Sequence, residues 1–310
     1  MPYFILKRVL TVVPLILCVV FVVFAIINVI PGDPGRNILG ISASQGEVDA
    51  LNESLGYSDP FFVRFWNYFV GIVTRFNFGN SYFSGRPVTE SIAENFSYTF
   101  RLTIMGVMLY VSIGIPLGVM SAVRQYSAAD NIARVMAMIV ASFPGFWLSM
   151  LGMLVFSLWL GWLPSSGVDN WKHYILPVAM FGLSYSAGLL RTTRTTMLEA
   201  IRQDYVRTAR AKGASERTVV WTHAFRNAML PIINSVGIAI GVMMGGTLIT
   251  ETIFAMPGLG NLAFTAIQTK DVPLVMGTTI FLSTIFSLMV LLVDVVSAFV
   301  DPRVKAKYVK

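Results

Sequence analysis

The sequence predicts an all-α integral membrane protein with six transmembrane helices, and three observations carry that prediction. Of its 310 residues 55% are hydrophobic and 13% charged, with a mean hydropathy of +0.69, whereas soluble domains carry about a quarter charged residues. The apolar residues fall into six runs, each long enough for a bilayer core of roughly 30 Å. The basic residues gather in alternate connections, the positive-inside pattern of a multi-pass protein. That confinement also argues against a nucleic-acid partner, despite the net charge of +7.

Lys7 and Arg8 precede the first run, Val9 to Ile30, which is too long for a signal-peptide core and lacks a small-residue cleavage site. Residues 1–30 are therefore expected to be a short cytoplasmic start and a retained first span. Pro14 is tolerable there, because neighbouring helices can satisfy the freed carbonyl. The single cysteine, Cys18, excludes an internal disulfide, and Leu17 before it is not the small residue that a lipoprotein signal needs.

Residues 31–98 hold seven acids (Asp33, Glu47, Asp49, Glu53, Asp59, Glu90, Glu94) against four bases (Arg36, Arg64, Arg75, Arg86), a balance that places them outside. Pro60 to Phe69, rich in aromatics and too short and polar to span, reads as a helix at the membrane surface. An aromatic platform for substrate is the other reading.

Residues 99–300 form the transmembrane core. Its spans are expected at Phe100 to Val123, Ile132 to Leu160, Tyr174 to Leu190, Met229 to Ile249 and Pro273 to Val300. The connections after the second and fourth spans hold Arg124 and Arg134, then Arg191, Arg194 and the bases beyond; the tail, 301–310, holds Arg303, Lys305, Lys307 and Lys310. The opposite loops balance Lys172 and Lys270 with Asp169 and Asp271. Both termini and the two basic connections are thus expected in the cytoplasm.

The longest hydrophilic stretch inside this core lies in residues 191–228. Glu199 to Pro231 carries Arg202, Arg207, Arg210, Lys212, Arg217 and Arg226 against Glu199, Asp204 and Glu216, and cannot lie in hydrocarbon. Asp204 to Lys212 contains neither Gly nor Pro, Gly213 is a natural stop and Ser215 a plausible cap for a following helix. Helix, sharp turn, helix is the expectation.

The run Asp204-Tyr205-Val206-Arg207-Thr208-Ala209-Arg210-Ala211-Lys212-Gly213, with His223-Ala224-Phe225-Arg226-Asn227-Ala228-Met229-Leu230-Pro231 after it, resembles the cytoplasmic loop of ABC importer permeases. Ile30-Pro31-Gly32-Asp33-Pro34, Glu251-Thr252-Ile253-Phe254 and Pro257-Gly258-Leu259-Gly260 match the same family, so the likeness runs through nearly the whole chain. Arg207 stands where an acid is usual, and the interval from Gly213 to Pro231 is longer than in sugar permeases; both features resemble the dipeptide, oligopeptide and nickel branch. The resemblance implies that Asp204, Tyr205, Arg207, Thr208, Ala209, Arg210, Ala211, Lys212 and Gly213 form the coupling helix seated in a groove of an ATPase subunit, with Ala209 and Ala211 small enough to let the backbone settle deep. It also implies a second homologous permease subunit, two ABC ATPase subunits that bind ATP and Mg, an external substrate-binding protein, and a bacterial or archaeal cytoplasmic membrane. The chain itself is then expected to bind no cofactor and to catalyse no reaction.

No HExxH, CxxC or GxxxxGK[ST] occurs. His173 and His223 fall near opposite faces of the membrane, so they cannot share a site within the chain. Gly237, Gly241, Gly245 and Gly246 lie on or near one stripe of the fifth span, read either as tight helix packing or, with Met243, Met244 and Thr247, as the border of a translocation path. Glu251, Pro257 and Gly258 mark an outer gate. Glu251 and Asp294 would be the relay of a proton-coupled carrier, but two acids at opposite ends make a poor relay, and local capping or pairing is the plainer reading. A self-sufficient secondary transporter is the rival from another class; no internal repeat supports it. Dipeptides, longer peptides, glutathione, nickel complexes and oligosaccharides all remain open as cargo.

Overall fold

The computed structural model describes residues 2–29, 33–40 and 42–300. Ile30, Pro31 and Gly32 of the early motif, the tail 301–310 and the side chains of Lys7, Arg8 and Gly246 lie outside the described set. The described chain is helical, apart from one isolated bridge between Asn80 and Pro87.

Helix α1, Pro2–Val29, packs on α13 and α4 and leaves Leu10, Val13, Phe21, Val22 and Ile26 exposed, the surface of a peripheral membrane helix. Two short helices follow. In α2, Pro34–Leu39, the carboxylate of Asp33 accepts from the Arg36 N–H; α3, Gln45–Ser54, opens on a full capping box between Ser44 and Glu47. Asn52 donates to Asp33 at 2.7 Å and ties α3 to α2. That bond, together with the Arg36 N–H, holds the Asp33 carboxyl below the usual carboxylate range. Helix α4, Phe61–Arg75, is strongly amphipathic: Phe61, Phe65, Tyr68, Phe69 and Ile72 pack toward α1 and α13, while Phe62, Trp66 and Val73 stand exposed.

Helix α5, Val88–Val123, is 36 residues long and starts well before the expected Phe100. Its polar first turns are held by Arg86, which bonds Glu94 at 2.5 and 3.2 Å, so a stretch that reads as loop is the start of the helix. The expected span Ile132 to Leu160 is broken. Helix α6, Ala128–Ser142, and α7, Gly145–Gly152, with its π-helical continuation Met153–Trp159, meet at 98°. Pro144 is the reason: it disfavours α-conformation at the residue before it, and Phe143 is extended at φ −104°, ψ 138°.

Helix α8, Lys172–Ile201, runs eleven residues past Leu190 before the chain turns into α9, Asp204–Ala211. One helical turn, α10, Glu216–Thr218, leads through a π-helical stretch, Val219–Phe225, into α11, Arg226–Ile253. A tight turn leads to α12, Leu259–Gln268, and α13, Val272–Val300, closes the described chain.

The centre of the bundle is α5 against α8. A Cβ at Gly114 would lie 2.7 Å from Leu189, and one at Gly118 would lie 2.5 Å from Thr193, so these glycines are what let the two backbones approach. The bent pair follows α8 along its length. Asp130 meets Arg194, Ala133 and Ala137 pack with Ala187 and Leu190, Gly145 faces Ser184, and Gly152 faces Met180 and Leu176. Among the described residues five helices are long and apolar enough to cross a membrane, or six segments if the bent pair counts as one.

Candidate functional site

Three places collect the residues singled out in the sequence: α9, the turn between α11 and α12, and the face of α11.

Helix α9 begins one residue after Gln203, whose backbone is extended, and stops at Gly213, whose φ of +80° suits glycine. Ser215 caps the next helix through Thr218. In eight residues a helix can commit only one narrow face inward. Here Val206 and Ala209, three apart, turn in and are 0% and 8% exposed, packed in a cluster with Met197, Ala200, Val219, Val220 and Ala224. Ala209 therefore does not offer its methyl to a partner's groove; its small size lets α9 seat on its own chain. Arg210 is also engaged within the chain, with its guanidinium 2.8 and 3.2 Å from the two Glu216 oxygens. Asp204, Tyr205, Arg207, Thr208, Ala211, Lys212 and Gly213 are exposed. Tyr205, Thr208 and Lys212 form one exposed flank beside the buried pair, and partial burial raises the Tyr205 phenol above its ordinary value.

At the far end of α11 the Glu251 side chain is fully buried. Thr99 of α5 donates to its Oε1 at 2.7 Å, and the Asn261 N–H donates to Oε2 at 3.0 Å. The Thr99 oxygen in turn accepts the Leu259 N–H at 2.8 Å. The carboxylate thus sits on the N-terminus of α12, where free N–H groups favour a negative charge. This is the local capping read from the sequence as the plainer alternative. Gly258 makes room for it, and Pro257 is half-buried beside it.

The stripe on α11 divides. Gly237 faces Val293, and Gly241 faces Phe286, both on α13, which is helix packing. Met243, Met244 and Thr247 are at most 2% exposed, and Met243 packs against Gly106 of α5, so these three are interior to the chain and line no open path in it. Gly245, in contrast, has nothing within 4 Å of its Cβ position. It belongs to an exposed face made by Asn227, Pro231, Asn234, Ile238, Val242, Gly245, Ile249 and Thr252, at spacings of three and four along the helix. Sequence reasoning missed this face because apolar residues toward a lipid, a pore or a core look alike; the two asparagines in the N-terminal part of the helix were the available signal. Asp294 is half-buried on α13. Among the described residues no group of three or more His, Cys, Asp and Glu side chains could hold a metal ion.

Comparison with known proteins defines the class. Residues 114–306 match the binding-protein-dependent transport system inner membrane component family, and residues 1–103 match the N-terminal region of the same membrane component. The glutathione transport system permease protein GsiC of Salmonella choleraesuis strain SC-B67 is 38% identical over 304 residues, covering 98% of this chain and 99% of its own length. The protein of that name from Escherichia coli strain K12 is 37% identical over the same coverage. Among solved structures, the inward-facing MetNI methionine ABC transporter superposes with a TM-score of 0.56 at 18% identity, over 69% of this chain and 97% of its own. An amino acid ABC transporter with histidines gives 0.52 at 16% identity, over 69% and 94%. The chain belongs to the binding-protein-dependent ABC importer permeases: a multi-pass integral membrane component of a transporter, and not an enzyme. Such importers work with a substrate-binding protein and ATPase subunits.

Proposed function

We propose that this chain is one of two homologous permease subunits of an importer for short peptides in a bacterial cytoplasmic membrane, with glutathione, a tripeptide, inside its cargo range. Two ATPase subunits hydrolyse ATP with Mg on the cytoplasmic side, and α9 docks into one of them through Tyr205, Thr208 and Lys212. The observation that carries this reading is the division of α9: Val206 and Ala209 fasten it to the ends of α8 and α11, and its other face is left free. Movement of an ATPase subunit against that face would be passed directly to two spans.

In this reading the bent pair α6 and α7 is one span, making six, with both termini in the cytoplasm. Its contacts support that: they step from Arg194 at one end of α8 to Leu176 near the other, instead of returning to the end where they began. The exposed face of α11 looks onto the second permease and the translocation path. Cargo of short-peptide type is supported by the named function of the GsiC relatives. The test is to purify the cognate binding protein, identify its ligand by mass spectrometry, and measure uptake of that ligand in cells with and without this chain. A short peptide whose uptake disappears with the chain is the expected result; a sugar or a free metal in the binding protein overturns the cargo assignment.

A further inference from the structure

Outside the bundle core, where α1, α4 and α13 meet at the outer end, the structure contains a crevice that the importer mechanism does not use. One part of it, about 480 Å³, is lined by Phe24, Ile27, Asn28, Arg64, Lys270 and Val275 among others. A second part, about 530 Å³, shares Phe24, Tyr57, Arg64 and Met276 with the first and reaches Tyr68. Its chemistry is split. Apart from Asn28, the walls given by α1 and α13 are apolar, while Arg64 and Lys270 bring two cations to the same space.

Neither cation forms an ion pair with a carboxylate among the described residues, although Asp59 also lines the second part of the crevice. Arg64 lies 4.3 Å over the Tyr57 ring and donates to Asn28 at 2.5 Å, both neutral partners. The nearest acid in the chain to Lys270, Asp271, is buried and turned away, accepting from Ser81, Tyr82 N–H and Leu274 N–H. Asp33 is engaged with Asn52 and the Arg36 N–H. Lys270 itself ends the α12 segment at φ +55°, a left-handed conformation where glycine or asparagine would cost less. The Tyr68 hydroxyl is buried, has no hydrogen-bond partner and lines the crevice. Burial raises its pKa, so it remains a donor. Such an orphaned donor costs stability unless something accepts from it.

We infer that this crevice binds the phosphate headgroup and upper acyl chain of an anionic glycerophospholipid from the outer leaflet. The crevice is lateral: α1 exposes Phe21, Val22 and Ile26 beside it, and α4 exposes Phe62 and Trp66, the aromatic and apolar surface of the interfacial zone. A lipid there reaches it without entering the bundle. Two cations against the one acid of the lining, Asp59, favour an anionic headgroup over a zwitterionic one, whose ammonium they repel.

The test uses the assembled importer. Purified in mild detergent, the wild type is expected to retain phosphatidylglycerol or cardiolipin through washing, and R64Q/K270Q to retain about tenfold less at unchanged subunit content. R75Q, on the same helix but outside the crevice, is expected to match wild type. K270Q alone changes an exposed side chain that makes no hydrogen bond or ion pair among the described residues, so it separates lost lipid from lost folding; it is expected to lower retention. In nanodiscs of phosphatidylcholine, adding phosphatidylglycerol should raise the thermal midpoint of the wild type and not that of the double variant. Equal anionic-lipid retention by wild type and both variants overturns the inference. So does an equal stabilisation by inorganic phosphate alone, which would make the site one for free anions.

Discussion

The carboxylate of Glu251 occupies the space that a side chain at position 258 would need: a Cβ on Gly258 would lie 2.2 to 2.3 Å from its carboxyl atoms. Gly258 has φ −103°, so its backbone does not require glycine; the carboxylate does. Gly258→Ala is therefore expected to destabilise the outer turn by about 1–3 kcal/mol through overpacking, and to weaken stimulation of ATP hydrolysis by loaded binding protein. Thr99→Val should do similar harm by another route, leaving the Leu259 N–H and one carboxylate oxygen without their partner. Thermal midpoints and ATPase stimulation check both; wild-type values for Gly258→Ala would mean the turn is free to shift.

At the opposite end the buried carboxylate of Asp130 takes two bonds of 2.9 Å from the Arg194 guanidinium, with Ser121 and the Tyr126 N–H also donating. This fixes the α5–α6 turn to the stretch of α8 that leads into α9. Arg194→Lys cannot reproduce the two-pronged contact. It is expected to lower the thermal midpoint and to loosen α9, read as faster hydrogen exchange over residues 204–211. Asp130→Asn should be worse, about 3 kcal/mol or more, because it leaves a charge without its partner. Unchanged exchange in both variants would show that the pair does not brace α9.

Much of this was legible in the amino-acid order. Gly213 and Ser215 punctuate the loop as their chemistry dictates, and the six apolar runs correspond to helical segments. The failures have physical causes. Hydropathy runs smoothly across Phe143 and Pro144, so it cannot register the 98° break that proline imposes. Glu90 and Glu94 look like loop until Arg86 pairs with them. The inward turn of Ala209 depends on Val219 and Val220, and no local pattern in an eight-residue helix says which side will be covered.

That inward turn separates two kinds of substitution in α9. Ala209→Trp should unseat the helix from the cluster with Val206, Met197 and Val219, and so impair folding together with coupling. Tyr205→Ala removes only an outward anchor. It is expected to leave membrane insertion and thermal midpoint near wild type while ATPase subunits no longer copurify and uptake falls at least tenfold, roughly the loss of one interface anchor. Normal copurification of Tyr205→Ala would remove the outward face of α9 from the coupling interface.

The broken span can be tested by side-specific labelling. In a Cys18→Ser background, a cysteine introduced as S166C, in the exposed stretch before α8, should react with a membrane-impermeant maleimide added to intact spheroplasts. One introduced as T222C, exposed beyond α10, should react only after permeabilisation. If α6 and α7 instead dipped into the membrane and returned, S166C would be protected in intact cells.

Gly245 gives the cleanest probe of the α11 face, because the chain itself leaves its Cβ position open. Gly245→Leu should not strain this subunit, and in a helix interior it raises intrinsic helix propensity by about 0.8 kcal/mol. Any loss must then come from what the face meets: a second permease or the cargo. Ile238 and Ile249, on the same face, are 58% and 49% exposed, so an aligned apolar surface is available to a partner helix. Uptake is expected to fall while expression, insertion and ATPase binding hold. Whether permease pairing survives, measured by crosslinking of the two permeases, assigns the cause: pairing lost puts Gly245 at the subunit contact, and pairing kept with uptake lost puts it on the path. Full uptake by Gly245→Leu would leave the face to lipid alone.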